Sequence, residues 1–166
     1  AIEWVMQEAR EGDEFRSRCL RVGALHVIPI GIKDIIDTRD YATELGTVLH
    51  EGRKPSIDAT LVSLLKEAGA IILGKTVTTE LAVLEPGKTS NPHNNAHTPG
   101  GSSSGSAAAV ASAMVTLSVG TQTNGSVIRP ASFFGIYGFK PSFVRLSRHA
   151  ILKQSPPFDT VGLFDR

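Results

Sequence analysis

A serine in a glycine-containing turn is the residue of this sequence best suited to nucleophilic chemistry. Ser126 follows Asn124-Gly125 after an apolar segment. The successive backbone N–H groups from Thr123 to Ser126 could converge there on one negatively charged oxygen. Taken alone, an Asn-Gly-Ser turn is also common as a purely structural feature. A catalytic interpretation needs a base, because a serine hydroxyl is a weak nucleophile at its ordinary pKa.

Lys33 is the best candidate for that base, although a lysine of this kind is also common as a surface residue. It ends the apolar segment 26–33, where burial would favour the neutral amine and let it accept a proton. No histidine has the Asp or Glu arrangement that marks a triad. His93 and His97 have a spacing seen in metal sites, but the prolines and asparagines around them indicate a loop, and no metal site is predicted. The five histidines are His26, His50, His93, His97 and His149.

A glycine- and serine-rich run at residues 100–105 could supply a second hydroxyl that passes the proton between Lys33 and Ser126. The alternative is a flexible linker, but the run leads directly into an uncharged Ala/Val-rich segment. It matches neither of the glycine patterns that bind nucleotides, so a phosphate site is not expected. Residues 89–128 contain no Asp, Glu, Lys or Arg, which predicts that this stretch is buried or surrounds a site.

The composition argues against several other classes of function. The 166 residues fit one domain, 1–166, and 17 basic against 16 acidic side chains give a net charge of +1. That balance does not favour nucleic acid as a partner. Cys19 is the single cysteine, so we expect no internal disulfide, a structural role for this thiol and a reducing compartment. The apolar segment 107–119 is too short to span a membrane, and we predict a soluble cytoplasmic protein.

The elements that must position these residues follow from the apolar pattern, which predicts an α/β protein. Helices are expected over residues 2–21, 55–69 and 105–113, with a short one over 78–84. Strands are expected over residues 26–33, 70–73, 116–121 and 135–139. A helix that ends at Gly69 and is followed at once by a strand is typical of this class.

Several long motifs together resemble the amidase signature family. They are Ile28-Pro-Ile-Gly-Ile-Lys-Asp34, Glu67-Ala-Gly-Ala-Ile-Ile-Leu-Gly-Lys-Thr76, Asn91-Pro-His93, Gly100-Gly-Ser-Ser-Ser-Gly-Ser-Ala-Ala-Ala-Val110, Gly120-Thr-Gln-Thr-Asn-Gly-Ser-Val-Ile-Arg-Pro-Ala131, Gly138-Phe-Lys-Pro141 and Asp159-Thr-Val-Gly162. They stand in the family's order and cover nearly the whole chain. The resemblance implies a large mixed β-sheet packed between α-helices, and a Ser–Ser–Lys hydrolase that uses no cofactor.

The same resemblance implies roles for individual residues. Ser126 matches the nucleophile, Lys33 matches the general base, and Ser102 matches the bridging serine, whose preceding peptide bond is cis in the family. The oxyanion hole would be formed by the backbone amides of Thr123, Asn124, Gly125 and Ser126.

Substrate binding is expected from Arg129 and from the loop residues Gly101 and Ser103. Arg129 stands where malonamidase-like members of the family bind a substrate carboxylate, a task that suits the forked guanidinium. It could equally brace the 98–106 loop. Three positions depart from the commonest family pattern, because Gln122 replaces a frequent Asp, and Asn124 and Val27 each replace a frequent Gly. Asn tolerates positive φ better than most residues, so the turn is expected to be kept.

The function implied by the resemblance is hydrolysis of a small-molecule carboxamide through a serine acyl-enzyme, with release of ammonia or an amine. Two alternatives stay open: an A-type amidotransferase subunit, which needs partner chains, and a non-catalytic fragment that only binds ligands or partners. Catalytic domains of the family continue past the motif at residues 159–162. We therefore expect a core fragment that lacks the C-terminal half or completes its sheet as a homo-oligomer.

Overall fold

A mixed β-sheet forms the centre of the computed structural model, which describes residues 2–18 and 21–166. The strands are β1 (Pro29–Lys33), β2 (Ile71–Thr76), β3 (Leu117–Gln122), β4 (Tyr137–Phe139) and β5 (Thr160–Asp165). Their order in the sheet is β2-β1-β3-β5-β4. β1 runs parallel to β2 and β3, whereas β5 runs antiparallel to β3 and β4. The predicted α/β class with a mixed sheet is confirmed.

The helical segments lie between these strands and at the start of the chain. They are α1 (Ile2–Ser17), α2 (Thr60–Glu67), α3 (Ser104–Ala111) and α4 (Ile128–Phe134), with 3-10 turns at Val48–His50 and Glu80–Ala82. The helix expected over residues 2–21 ends at Ser17, and Cys19 lies outside the described residues. The short helix expected over residues 78–84 is reduced to the 3-10 turn Glu80–Ala82, because Leu81 and Ala82 take positive φ angles that interrupt it.

The helix expected to begin near residue 55 begins at Thr60 instead. Ala59 has an extended backbone, with φ −58° and ψ 145°. Its N–H donates to the carbonyl of Asp37 at 2.9 Å. This bond holds the end of the segment 55–59 against the loop after β1, so the segment is not part of the helix. At the other end, Gly69 follows the helix with φ +90°, as its position in the sequence predicts.

Successive side chains of a strand point to opposite sides of the sheet, so each strand contributes to two cores. Different elements cover the two faces. One face places Ile32, Val119 and Val161 in a core with α2 and the segments that follow β1 and β4. The other face is covered by α3 and α4, whose core includes Phe134 and Phe164. The segment 89–128, which carries no charged side chain, is only partly buried. Its residues 101–110 are mostly buried, whereas residues 92–98 form an exposed loop.

The strand directions bring the candidate residues to one edge of the sheet. β1 and β3 are parallel, so their carboxyl ends, at Lys33 and Gln122, lie at the same edge. β5 is antiparallel to β3 and begins beside Gln122, at Thr160. Within residues 2–18 and 21–166, no helix is both long and apolar enough to cross a membrane.

Candidate active site

Lys33 is fully buried at the end of β1 and contacts two hydroxyl groups. Its Nζ lies 2.7 Å from Ser102 Oγ and 3.0 Å from Thr121 Oγ1. Burial disfavours the charged ammonium and lowers the lysine pKa from 10.5 to about 7. The lowered pKa favours the neutral amine, which can accept a proton, in the region of neutral pH.

Ser102 lies in the loop before α3, and the peptide bond between Gly101 and Ser102 is cis, as the family resemblance implies. The side chain of Ser102 is 2% exposed. Backbone hydrogen bonds hold this loop against the segment after β2, because Thr79 N–H donates to the Ser102 carbonyl at 3.2 Å and Gly105 N–H donates to the Val77 carbonyl at 2.9 Å. The Ser102 hydroxyl is thereby directed to the Lys33 amine.

The Ser103 hydroxyl contacts the backbone of the neighbouring strand. Its side chain is fully buried. The hydroxyl donates to the Thr121 carbonyl at 3.1 Å and accepts from the Thr121 N–H at 3.3 Å. Since Ser102 and Thr121 both contact Lys33, the contact between Ser103 and Thr121 closes a ring of polar interactions around the amine. Both hydrogen bonds engage the Ser103 hydroxyl, so it is not free to bind a substrate, the role expected for this residue.

Ser126 is half-buried in the turn between β3 and α4. Among the described residues, no acceptor receives a hydrogen bond from the backbone N–H groups of Asn124, Gly125 or Ser126. These three donors therefore remain available to a ligand oxygen. No hydrogen bond between described residues joins the Ser126 hydroxyl to Ser102, so the second link of the expected proton relay is not formed here.

Gln122 stabilises the end of this turn that leads into α4. Its side-chain Oε1 accepts hydrogen bonds from the N–H groups of Val127 at 2.9 Å and Ile128 at 3.0 Å. The amide oxygen thus takes the position of a helix-capping acceptor, which a carboxylate would also fill. Replacement of the family's frequent Asp by Gln122 keeps an acceptor for the start of α4.

Arg129 contacts the loop that carries Ser102. Its Nη2 donates to the Gly101 carbonyl at 2.8 Å. Arg129 and Gly101 both border a cavity of about 360 Å³, which is also lined by Thr79 and Phe133. Of the two interpretations of Arg129, this contact favours the brace for the 98–106 loop.

A second cavity, of about 400 Å³, lies at the carboxyl end of β3. Thr121 and Thr123 contribute to its wall, together with side chains from the segment 144–161. Thr121, whose hydroxyl contacts Lys33, is therefore a neighbour of both this cavity and the buried amine.

The family model described as Amidase matches residues 1–166. The chain belongs to the amidase family. This assignment confirms the family resemblance that the motifs carry, and it applies to the whole chain.

Relatives of this amidase-family chain include both amidotransferase subunits and amidases. The A subunit of a glutamyl-tRNA(Gln) amidotransferase from Natranaerobius thermophilus is 41% identical over 166 residues, which cover 96% of this chain and 34% of the relative. The solved peptide amidase of Stenotrophomonas maltophilia is 37% identical with a TM-score of 0.92, over 98% of this chain and 35% of that one. The solved amidotransferase A subunit of Thermotoga maritima gives a TM-score of 0.81 at 34% identity, over 88% and 34% of the two chains. This chain thus spans about a third of the relatives it matches.

The structure brings Lys33 and Ser102 together, as the sequence predicts, whereas the contacts of Thr121 with Lys33 and Ser103 are missed. A usable signal exists for Thr121, which stands between Gly120 and Gln122 in the motif that ends β3. Within the described residues, no group of three His, Cys, Asp or Glu side chains could hold a metal ion. His93 contacts a backbone carbonyl instead, with its Nε2 lying 2.8 Å from the oxygen of Phe134.

Proposed function

We propose that this chain carries the catalytic site of an amidase that hydrolyses a small carboxamide to a carboxylate and ammonia. The observation that carries the proposal is the 2.7 Å contact between Lys33 Nζ and Ser102 Oγ. A buried lysine with a pKa lowered to about 7 can act as a base near neutral pH. Membership of the amidase family supports the same chemistry.

The first half of the proposed reaction forms an acyl-enzyme. The neutral Lys33 amine takes the proton of the Ser102 hydroxyl, and Ser102 takes the proton of Ser126. The Ser126 oxygen then bonds to the carbonyl carbon of the amide, and the π-electron pair moves to the carbonyl oxygen. Backbone N–H groups at residues 123–126 stabilise that negative charge.

The second half releases both products. The lysine proton returns through Ser102 to the amide nitrogen, the carbon–nitrogen bond breaks, and ammonia leaves. Water then attacks the ester carbonyl and gives one proton to Lys33 through Ser102. That proton passes back to the Ser126 oxygen as the ester bond breaks, and the carboxylic acid product loses its remaining proton to solvent and leaves as the carboxylate. These steps require only the named side chains, the backbone donors and water.

The relay requires one local adjustment. The Ser126 hydroxyl must come within hydrogen-bond distance of Ser102. Catalytic hydrogen bonds are often long or misaligned without substrate and tighten when it binds. We therefore expect the contact between Ser102 and Ser126 to form in the substrate complex.

Measurement of ammonia release from simple carboxamides tests the proposal. The wild type is expected to release ammonia, and Ser126→Ala is expected to lower the rate by a factor on the order of 10⁴ or more. Ser142→Ala is the matched control, because Ser142 is exposed and lies outside the described site, and it should keep the wild-type rate. Absence of release by the wild type would contradict the proposal and favour a binding-only protein.

A second candidate function is that of an amidotransferase A-type subunit, which supplies ammonia to a reaction carried out with partner chains. Sequence similarity favours it, since the amidotransferase A subunits of Natranaerobius thermophilus and Rhodopirellula baltica are 41% and 42% identical to this chain. Such a protein should copurify with partner proteins. Hydrolysis of free amides by the isolated chain, together with a pull-down that recovers no partner, would contradict this candidate.

A further inference from the structure

The turn that carries the candidate nucleophile contains an asparagine followed directly by a glycine. Asn124 and Gly125 stand just before Ser126, and no other asparagine of the sequence precedes a glycine. Asn124 is exposed. Between described residues, the side chains on the β3 side of the turn are hydrogen-bonded, but the Asn124 side-chain amide is not. The turn therefore presents a free carboxamide of its own next to the reacting serine.

An Asn-Gly pair can close into a five-membered cyclic imide. The backbone nitrogen of Gly125 gives up its proton and bonds to the Asn124 side-chain carbonyl carbon. The bond from that carbon to the side-chain nitrogen breaks, and the nitrogen leaves as ammonia with the proton. Water then adds to one of the two imide carbonyls, which restores the N–H of residue 125 and leaves a carboxylate. Opening at the side-chain carbonyl gives aspartate, and opening at the backbone carbonyl gives isoaspartate.

The local structure favours this ring closure. The Gly125 N–H donates to no acceptor among the described residues, so its proton is not held in a hydrogen bond. The space around Gly125 is open, because a Cβ placed there would meet only the Cβ of Arg129, at 3.8 Å. Glycine also reaches backbone conformations that other residues rarely adopt. The attacking nitrogen is therefore accessible, and the chain around it can adjust.

The other three asparagines are protected from the same reaction. Asn91 precedes Pro92, whose nitrogen carries no proton. Asn94 is followed by Asn95, which has a side chain beside the attacking nitrogen, and its own Oδ1 accepts from the Ala96 N–H at 2.9 Å. That bond engages the N–H group that would have to attack Asn95. Asn124 is thus the most susceptible asparagine of the chain.

We propose that Asn124 is a modification site, where spontaneous deamidation to aspartate or isoaspartate disables the turn of backbone donors. The reaction needs no co-reactant except water. Isoaspartate adds one atom to the main chain just before the N–H groups of Gly125 and Ser126, and so displaces them. Both products also place a carboxylate beside these donors, where it opposes negative charge on a ligand oxygen. The expected loss of activity, but not the modification itself, rests on the proposed function.

Mass spectrometry of the wild-type protein after incubation at mildly alkaline pH tests the modification. The peptide with Asn124 should gain one mass unit at that residue, while Asn95 stays unchanged. Conversion should be slower at mildly acidic pH, because the attacking nitrogen must lose its proton. Conversion of Asn95 at the same rate would overturn the proposal. So would intact Asn124 in the folded protein over a time in which the chain unfolded in urea is fully converted.

Three variants test the route. Gly125→Ala places a methyl group beside the attacking nitrogen and should slow conversion about 10-fold or more. It should fold, because Gly125 has no positive φ and the added Cβ has room. Asn124→Gln lengthens the side chain, so the five-membered ring cannot form and residue 124 should stay intact. Asn95→Gln, at an exposed position, is the matched control and should convert at Asn124 like the wild type. Wild-type conversion in Gly125→Ala would overturn the ring-closure route.

Ammonia release from a simple carboxamide, measured in the same incubated samples, tests the effect on activity. Activity should fall with the fraction of Asn124 converted, and converted protein should have a kcat at least about 100-fold lower. Asn124→Gln should keep its own starting activity, while Asn95→Gln should decay like the wild type. Full activity of the converted protein, or equal decay of Asn124→Gln, would overturn the disabling effect. If the wild type hydrolyses no amide and the mass change still occurs at Asn124, the modification site stands and the proposed function fails.

Discussion

Lys33 is fully buried and Lys75 is largely buried, but only Lys75 has a carboxylate partner. Lys75 Nζ lies 3.4 Å from Asp34 Oδ1, and burial lowers its pKa to about 8 although the carboxylate opposes the shift. Lys33 contacts only the hydroxyls of Ser102 and Thr121 among these groups, and burial lowers its pKa to about 7. Without a carboxylate to stabilise its ammonium, Lys33 is neutral at a lower pH than Lys75 and is the more readily available proton acceptor near pH 7.

Thr121 should position the Lys33 amine. Its hydroxyl accepts one N–H of the lysine, which leaves the nitrogen lone pair for the proton of Ser102. Thr121→Val keeps the shape but removes the acceptor, so kcat/KM for ammonia release should fall about 10- to 100-fold. Loss of an acceptor for the ammonium should also move the pH midpoint of kcat/KM below that of the wild type.

Thr121→Ser is the conservative counterpart of that change, because it keeps the hydroxyl. Its kcat/KM should stay within about 3-fold of the wild type, with the same pH midpoint. Wild-type behaviour of Thr121→Val would show that the amine needs no such acceptor.

Arg129 should act on all amide substrates alike. Since its guanidinium donates to the Gly101 carbonyl, Arg129→Ala should loosen the loop that carries Ser102. We expect kcat/KM to fall about 10-fold for neutral amides and for amides that carry a carboxylate. Arg145→Ala, at an exposed position outside the site, should change neither. A loss confined to carboxylated amides would instead support the substrate clamp.

The site residues differ in how far the sequence predicts them. Lys33 and Ser102 are predictable because an apolar strand and a long family motif mark them, and the structure brings their side chains together. Ser103 is predicted to bind substrate, yet its hydroxyl contacts the backbone of Thr121. The orientation of a side chain in a serine-rich loop depends on tertiary packing, which residue types and spacing do not reveal.

At the scale of elements, α4 is stabilised by a side chain from the end of β3. Gln122 is 8% exposed, and its Oε1 accepts from the N–H groups of Val127 and Ile128. Gly135 ends the helix in the left-handed conformation, with φ +65°. The turn that carries Ser126 is thus fixed at both sides, by β3 before it and by the capped helix after it.

Removal of the Gln122 acceptor should destabilise this region. Gln122→Met keeps the length of the side chain but leaves two N–H groups without their acceptor, so the free energy of unfolding in urea should fall by about 1–3 kcal/mol. Gln7→Met is the matched control, because Gln7 is exposed on α1, and it should cost less than about 0.5 kcal/mol. Equal stability of the two variants would contradict the capping role.

The sequence predicts β1, β2, β3 and α3 because each carries a strong apolar pattern. It does not predict α4, since a seven-residue helix with Pro130 in its first turn has little periodicity. The hydrogen bonds that the Gln122 side chain accepts stabilise this helix, which its own residues favour only weakly. β5 is visible in the sequence only as a family motif, because its pairing with β3 and β4 joins segments that are distant along the chain.

At the scale of the whole molecule, the edge of the sheet formed by β4 is apolar and exposed. Tyr137 and Phe139 of β4 are 75% and 61% exposed, and Phe139 pairs with the partly exposed Leu163 of β5. This surface is compatible with association with a second copy or with further polypeptide. Both associations stay predictions.

The buried amine should make stability depend on pH. The Lys33 pKa is about 7 in the folded protein and 10.5 in an unfolded chain, so between these values the unfolded state binds more protons. Stability from this group is therefore smallest below pH 7 and rises with pH up to 10.5. Relative to Lys33→Met, the wild type should gain about 2 kcal/mol of unfolding free energy from pH 7 to pH 9. A constant difference between the two proteins would contradict this linkage.

The central claim is that Lys33 is a neutral base at physiological pH. An NMR titration of the wild-type protein with ¹³C at the lysine ε-carbons tests it directly, with the Lys33 signal assigned by its loss in Lys33→Met. The account predicts a titration midpoint near pH 7, because the side chain is fully buried without a carboxylate contact. A midpoint near the ordinary lysine value of about 10.4 would contradict it.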